Sequence, residues 1–168
     1  MKTLTINQLK PNPAGKDRPR VGPLDPSQLA AEWVDIKNTG NCAIDLGGVQ
    51  LYDRAFSASH PEGEWRAILT LERFSLPPAR TLRVHSGRNR GIAVIRAEDR
   101  EGSDYFIFTG RDEYVWNNKE GDTAALWDSY EQRTIDAASY DPNPPDGVIL
   151  VRVGAKLQPA YIPAWLYR

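Results

Sequence analysis

The stretch Glu32-Trp33-Val34-Asp35-Ile36-Lys37-Asn38-Thr39-Gly40 decides the class of fold. Val34 and Ile36 fall on one side of an extended chain and Asp35 and Lys37 on the other, the period of a half-buried β-strand. Thr39-Gly40-Asn41 ends it with turn chemistry. Working outward, the alternation recurs at Leu4 to Leu9, at Thr81 to His85, and at Ile44-Asp45-Leu46 and Val49-Gln50-Leu51 across a Gly47-Gly48 bend. Arg66 to Phe74, Tyr105 to Phe108 and Val148 to Val153 add further strands, and Thr123 to Trp127 with Thr134 to Tyr140 reads as a hairpin. Ile92-Ala93-Val94-Ile95 is apolar without a period that assigns it. Apart from one helical turn over Ser27 to Ala31, no amphipathic helix pattern emerges. Roughly seven to ten short strands at this spacing predict an all-β chain folded as a sandwich or small barrel.

The totals agree with one such domain. A chain of 168 residues, 40% hydrophobic, buries a core without covalent staples. Cys42 is the only cysteine, so no internal disulfide forms. Basic and acidic residues balance at 21 against 22, which argues against a globally basic nucleic-acid binder. Met1 to Lys10 alternates in place of the apolar run of a signal peptide, and no stretch approaches the roughly 20 apolar residues of a membrane span. The expectation is a soluble cytoplasmic protein with no membrane partner. Pro11 to Pro26 holds five prolines and reads as an irregular arm.

Three segments carry a family signature. They are Glu32 to Gly40, Ile44-Asp45-Leu46-Gly47-Gly48-Val49-Gln50-Leu51-Tyr52-Asp53, and Val115-Trp116-Asn117-Asn118 through Gly121-Asp122-Thr123-Ala124-Ala125-Leu126-Trp127-Asp128. Ser75-Leu76-Pro77-Pro78-Ala79 with Leu82 to Gly87, and Ile135-Asp136 with Ser139-Tyr140, stand in the order of the same pattern. Together they resemble the lamin-tail domain in its microbial form. Val49 stands where that family usually has Trp, Pro78-Ala79 replaces its Pro-Gly turn, and Gly87 to Val115 is longer than in the bare module. The resemblance implies an all-β, immunoglobulin-like β-sandwich that serves as a binding or anchoring unit without catalytic residues of its own, whose eukaryotic examples contact proteins and, more weakly, DNA. It divides the chain into an N-terminal strand and Pro-rich arm (1–27), a sandwich (28–141), and a C-terminal strand with an aromatic tail expected to pack on the same domain (142–168).

Chemistry-bearing residues are few. No Gly-x-Ser-x-Gly elbow is present, and His60 and His85 are the only histidines, so no catalytic residue is assigned and no enzymatic activity is expected. Neither a cofactor nor a metal site is assigned. Asp99, Glu101 and Asp104, and separately Asp141, Asn143 and Asp146, crowd oxygen ligands into Gly-containing loops, but they read as turn residues and lack the EF-hand spacing. Asn38 and Asn117-Asn118 read as turn formers, and Trp116 and Trp127 as core or core-rim side chains. From Arg80 to Arg100 six arginines face two acids, and Arg83, Arg88 and Arg90 on one face would grip an acidic protein or, as the alternative function, nucleic acid. Trp33, Trp65 and Trp165 are candidates for a sugar or small ligand. The tail places Tyr161, Ile162, Trp165, Leu166 and Tyr167 in the last eight residues, where chain ends are normally polar. Tyr161, Trp165 and Tyr167 are therefore the preferred binding candidates, docking in cis or on another chain. The function expected is a non-catalytic protein-interaction or assembly module with a protein partner or self-association.

Overall fold

In the computed structural model, residues 1–15 and 21–160 are described, and they form twelve strands and one short helix. The strands are β1 (Leu4–Lys10), β2 (Trp33–Asn38), β3 (Ile44–Asp45), β4 (Val49–Ala55), β5 (Glu64–Thr70), β6 (Ser75–Leu76), β7 (Thr81–His85), β8 (Tyr105–Phe108), β9 (Asp122–Asp128), β10 (Arg133–Tyr140), β11 (Leu150–Val153) and β12 (Lys156–Pro159). The helix α1 (Pro26–Ala30) starts where Asp25 accepts the Ser27 amide and proline occupies its first turn. Among the described residues no helix is long and apolar enough to cross a membrane.

Ten strands make one sheet in the order β5-β4-β9-β10-β12-β11-β1-β2-β7-β8, and β3 pairs with β6 separately. The sheet curls so that its two halves share one core, in which Ile6, Val34, Ile36, Leu51, Leu126 and Leu150 are fully buried. This is the all-β architecture that the alternation predicts, in the immunoglobulin-like form that the resemblance implies. At the turn between the halves, Arg152 takes the place of ladder bonds. Its guanidinium donates to both carboxylate oxygens of Asp136 at 2.8 and 3.0 Å, and also to the carbonyl of Ile6. Asp136 in turn accepts the Ile6 amide, at the bulge where the register of β1 shifts.

Two parts of the structure differ from the sequence reading. Lys156–Pro159 pairs with β11 across Gly154-Ala155, although only Leu157 in it is apolar and buried, so its sequence shows no period. Ile92–Val94 is a 3₁₀ turn, followed by a second at Ala97–Asp99, inside a long connection between the parallel neighbours β7 and β8. Parallel pairing demands such a crossover, because both strands must start from the same end of the sheet. The crossover and α1 cover the outer face of β2 and β7. Both faces of β2 are therefore buried, which a half-buried pattern does not anticipate.

The turn before β9 depends on Gly121. Its φ is +74°, and a Cβ there would stand 2.5 Å from the carbonyl oxygen of Tyr140, a backbone atom that cannot swing away. Gly121→Ala should cost about 3 kcal/mol of unfolding free energy, read by denaturant titration; a loss under about 0.5 kcal/mol would show that the turn relaxes around it.

Candidate interaction site

The outer face of β2 and β7 carries a sealed polar layer. Arg83 meets Asp35 bidentately, Nε and Nη2 donating at 2.7 and 2.8 Å, and both side chains are 1% exposed. The remaining Nη1 donates to the carbonyls of Asp99 and Glu101 in the crossover. The guanidinium lies 3.5 Å from the centre of the Trp33 ring. Lys10 and the Trp33 indole both donate to Oδ1 of Asp99. Beside them the His85 ring contacts the carbonyl of Ala30, and burial pushes its pKa down to about 4. Burial also raises the Asp35 carboxyl, against the pull of Arg83.

A second buried group lies where β2 begins. Glu32 accepts from the Ser86 hydroxyl and from the amides of Val115 and Trp116, joining the crossover region to the segment that leads into β9. Burial outweighs these three donors and pushes the Glu32 carboxyl up to about 8. Asp122 is likewise pushed up to about 7 by burial, although it accepts the amides of Arg54, Asn117 and Thr123. These acids fasten loops to strands.

The two edges of the curled sheet, β5 and β8, face each other without pairing. At one end the Arg111 guanidinium spans the gap and donates to the carbonyls of Ala67 and Ile68. At the other, Phe74 meets Tyr105 edge to face at 4.9 Å. Between them a cleft of about 680 Å³ opens, with Leu69, Leu71, Leu82 and Ile107 in its lining. Phe74, Tyr105 and Phe106 each keep more than a third of their surface in solvent on its rim. A shallower hollow of about 400 Å³ lies on the outer face of β4, β9 and β10, bordered by Tyr52, Trp65 and Trp127.

Comparison with known families places this arrangement. The sequence model of the Lamin Tail Domain matches residues 2–142. The chain belongs to the lamin tail domain family. None of the curated proteins compared with it matches. The match begins ahead of β1 and ends just after β10, so β11 and β12 lie beyond it. The lamin tail domain is an immunoglobulin-like interaction module and is not known as a catalytic family.

Within this lamin tail domain the signature asparagines hold turns. Asn38 donates to the carbonyls of Cys42 and Leu76 and accepts the Gly40 amide, while Asn117 accepts the amides of Lys119 and Glu120. Trp116 is in the core and Trp127 half-buried on the outer face. The candidate arginines do not share a surface. Arg83 is inside, because burying the outer face of β7 requires a partner for Asp35, whereas Arg88 is exposed and paired with Asp112. Arg90 is exposed in the following loop. Arg80 pairs with Asp104, Arg96 reaches Gln28, and Arg100 donates to the carbonyls of Ile92 and Ile95. Trp33 is fully buried and so is no exposed ligand platform, while Trp65 is 51% exposed. Tyr161, Trp165 and Tyr167 lie outside the described residues.

His60 stands near Ser57, Ser59 and Glu64 on an exposed loop, held by the contacts of its own turn. Among the described residues no three ligating side chains converge as a metal site. The cleft between β5 and β8 was missed in the sequence. Leu69, Phe74 and Tyr105 to Phe108 looked like ordinary strand residues, and only the order of strands makes both segments edges.

Two outcomes follow from the buried charges. Asp35→Ala strands the Arg83 guanidinium without its carboxylate and should cost about 3–5 kcal/mol, whereas Arg88→Ala at the exposed pair should cost under about 0.5 kcal/mol; equal costs would contradict the sealed layer. Glu32 holds its proton more tightly folded than unfolded, so its contribution is complete below its ordinary value of 4.5 and fades as pH rises through about 8. Asp122 acts in the same direction through about 7. His85 is held below its ordinary 6.5, so it destabilises the fold as pH falls from 6.5 through about 4. The thermal midpoint should therefore fall between pH 6.5 and 8, and Glu32→Gln should flatten that fall; a midpoint rising over this range would contradict the buried acid.

Proposed function

We propose that this lamin tail domain is a non-catalytic docking module that receives an extended segment of a protein partner in the cleft between β5 and β8. The observation that carries the reading is the pair of edge strands facing across a largely apolar gap. An edge strand offers a row of backbone donors and acceptors that a ladder has not used. A segment added there gains main-chain hydrogen bonds, while its alternate side chains reach the apolar lining. Arg111 and the Phe74–Tyr105 ring pair bridge the edges, so the gap is framed between them. The exposed rings of Phe74, Tyr105 and Phe106 supply the rigid apolar contacts on which interfaces concentrate their binding energy. The nucleic-acid reading gains no support from the arginine cluster, since Arg83 is buried and Arg88 has an acidic partner.

Random peptides displayed on phage and panned on the immobilised full chain should converge on extended sequences of alternating apolar residues. Phe74→Asp and Thr70→Arg, both at exposed positions, should each weaken their binding at least about tenfold while the thermal midpoint stays within a few degrees. Peptides whose binding ignores both substitutions would overturn the cleft as the docking site.

A further inference from the structure

The outer face of β4, β9 and β10 is apolar where an alternating strand ordinarily presents polar side chains to water. Strand register sets its relief. One row across the strands is Ala137, Ala125 and Tyr52, with Ala67 of β5 beside it. Two residues along in one direction stands Trp127, between Thr134 and Gln50, and two residues along in the other stands Trp65, level with Arg54. The two indoles therefore rise from rows about 13 Å apart, four residues of about 3.3 Å. Between them the small alanines leave the hollow of about 400 Å³. Trp65 keeps 51% of its surface in solvent. The Arg54 guanidinium lies 5.2 Å from the centre of its ring and donates to the carbonyls of Glu62 and Gly63, which braces the indole.

The chemistry of the hollow narrows what it can hold. Among the described residues every side chain lining it is uncharged. Arg54 is engaged by carbonyls, and Arg133 at the near end of β10 pairs with Glu131. A phosphate or carboxylate would find no unpaired cation in the lining to receive it. Each of the three strands beneath has a neighbour on both sides, so an extended peptide has no open ladder to join. The polar groups at hand are the hydroxyls of Tyr52 and Thr134 and the amide of Gln50, with Tyr52 donating to Gln50 at 3.1 Å. Hydroxyls both donate and accept. The complementary ligand is neutral, with an apolar face and a hydroxylated edge.

We propose that the hollow between Trp65 and Trp127 binds a neutral sugar of a glycan, seated over Ala125 and Ala137 with its C–H face against the aromatic rings. A pyranose ring presents axial C–H groups that suit the electron-rich face of an indole, and its hydroxyls lie at the edge, where Tyr52 and Thr134 can exchange hydrogen bonds with them. The volume sits near the small end of the roughly 300–1,000 Å³ of ligand pockets, room for about one or two such rings. The site lies on the outer face of the sheet and is separate from the cleft between β5 and β8, so it stands or falls independently of the docking reading above.

A printed glycan array tests it, with the full chain labelled by a fluorophore on the exposed Cys42. Neutral oligosaccharides (glucans, xylans, mannans and chitin fragments) should bind, and sulfated or sialylated ones should bind no better. In solution the best glycan should change the tryptophan fluorescence of the unlabelled protein. Trp65→Ala, which removes one wall, and Ala137→Leu, which fills the floor and leaves all three rings, should each weaken that binding at least about tenfold while the thermal midpoint stays within a few degrees. Phe74→Asp at the cleft should leave it unchanged. An array on which no neutral glycan rises above background overturns the proposal, as does glycan binding that survives both substitutions. Oligothymidylate or oligoproline that binds more tightly than any glycan, and is lost in Trp65→Ala, would assign the hollow to another class of partner and also overturn it.

Discussion

Arg83 and Asp35 face each other across β7 and β2 in a space closed to water, and the rest of the outer layer is arranged to make that bearable. Removing two charges from water costs several kcal/mol each, and the pair recovers this only with good geometry and further hydrogen bonds. Both conditions are met. The bidentate contact uses two donors, the carbonyls of Asp99 and Glu101 take up another, and the Trp33 ring covers one face of the guanidinium. The carbonyls belong to the crossover, so the strand pair and its cover each require the other.

The same crossover explains the cleft. A chain that leaves β7 and returns parallel to it needs a long connection, and here that connection lies over the outer face of β2 and β7. It sets β8 down as the last strand on that side. On the other side the hairpin of β4 and β5 leaves β5 as the last strand. The curl then brings two unpaired edges close enough to face each other. Exposed edges invite pairing with another chain, which proteins usually prevent by covering them. In this lamin tail domain Arg111 covers part of β5 and leaves the apolar remainder open. This is the surface proposed above to receive an extended protein segment.

Most of the strands, their core-facing sides and the family were legible in the sequence. Val34, Ile36, Leu82 and Val84 alternate with polar residues, and burial follows that period on the core side. Asn38, Asn117 and Gly121 signalled turns through their own chemistry, which is local to a few residues. Hence the all-β class could be derived from the residues alone, and the family signature added the immunoglobulin-like sandwich. What failed is whatever depends on distant partners. Asp35 and Arg83 look like solvated strand residues until the crossover lands on them, and Lys156–Pro159 becomes a strand only because β11 and β10 flank it.

By itself, then, the sequence determined where the chain is extended, where it turns, and which side of each strand is apolar, because these follow from side-chain period and backbone preference. The tertiary structure alone decided which strands became edges, which charges were buried and where a cleft opened. Those properties belong to the order of strands in the sheet, and that order is set by contacts between residues far apart in sequence.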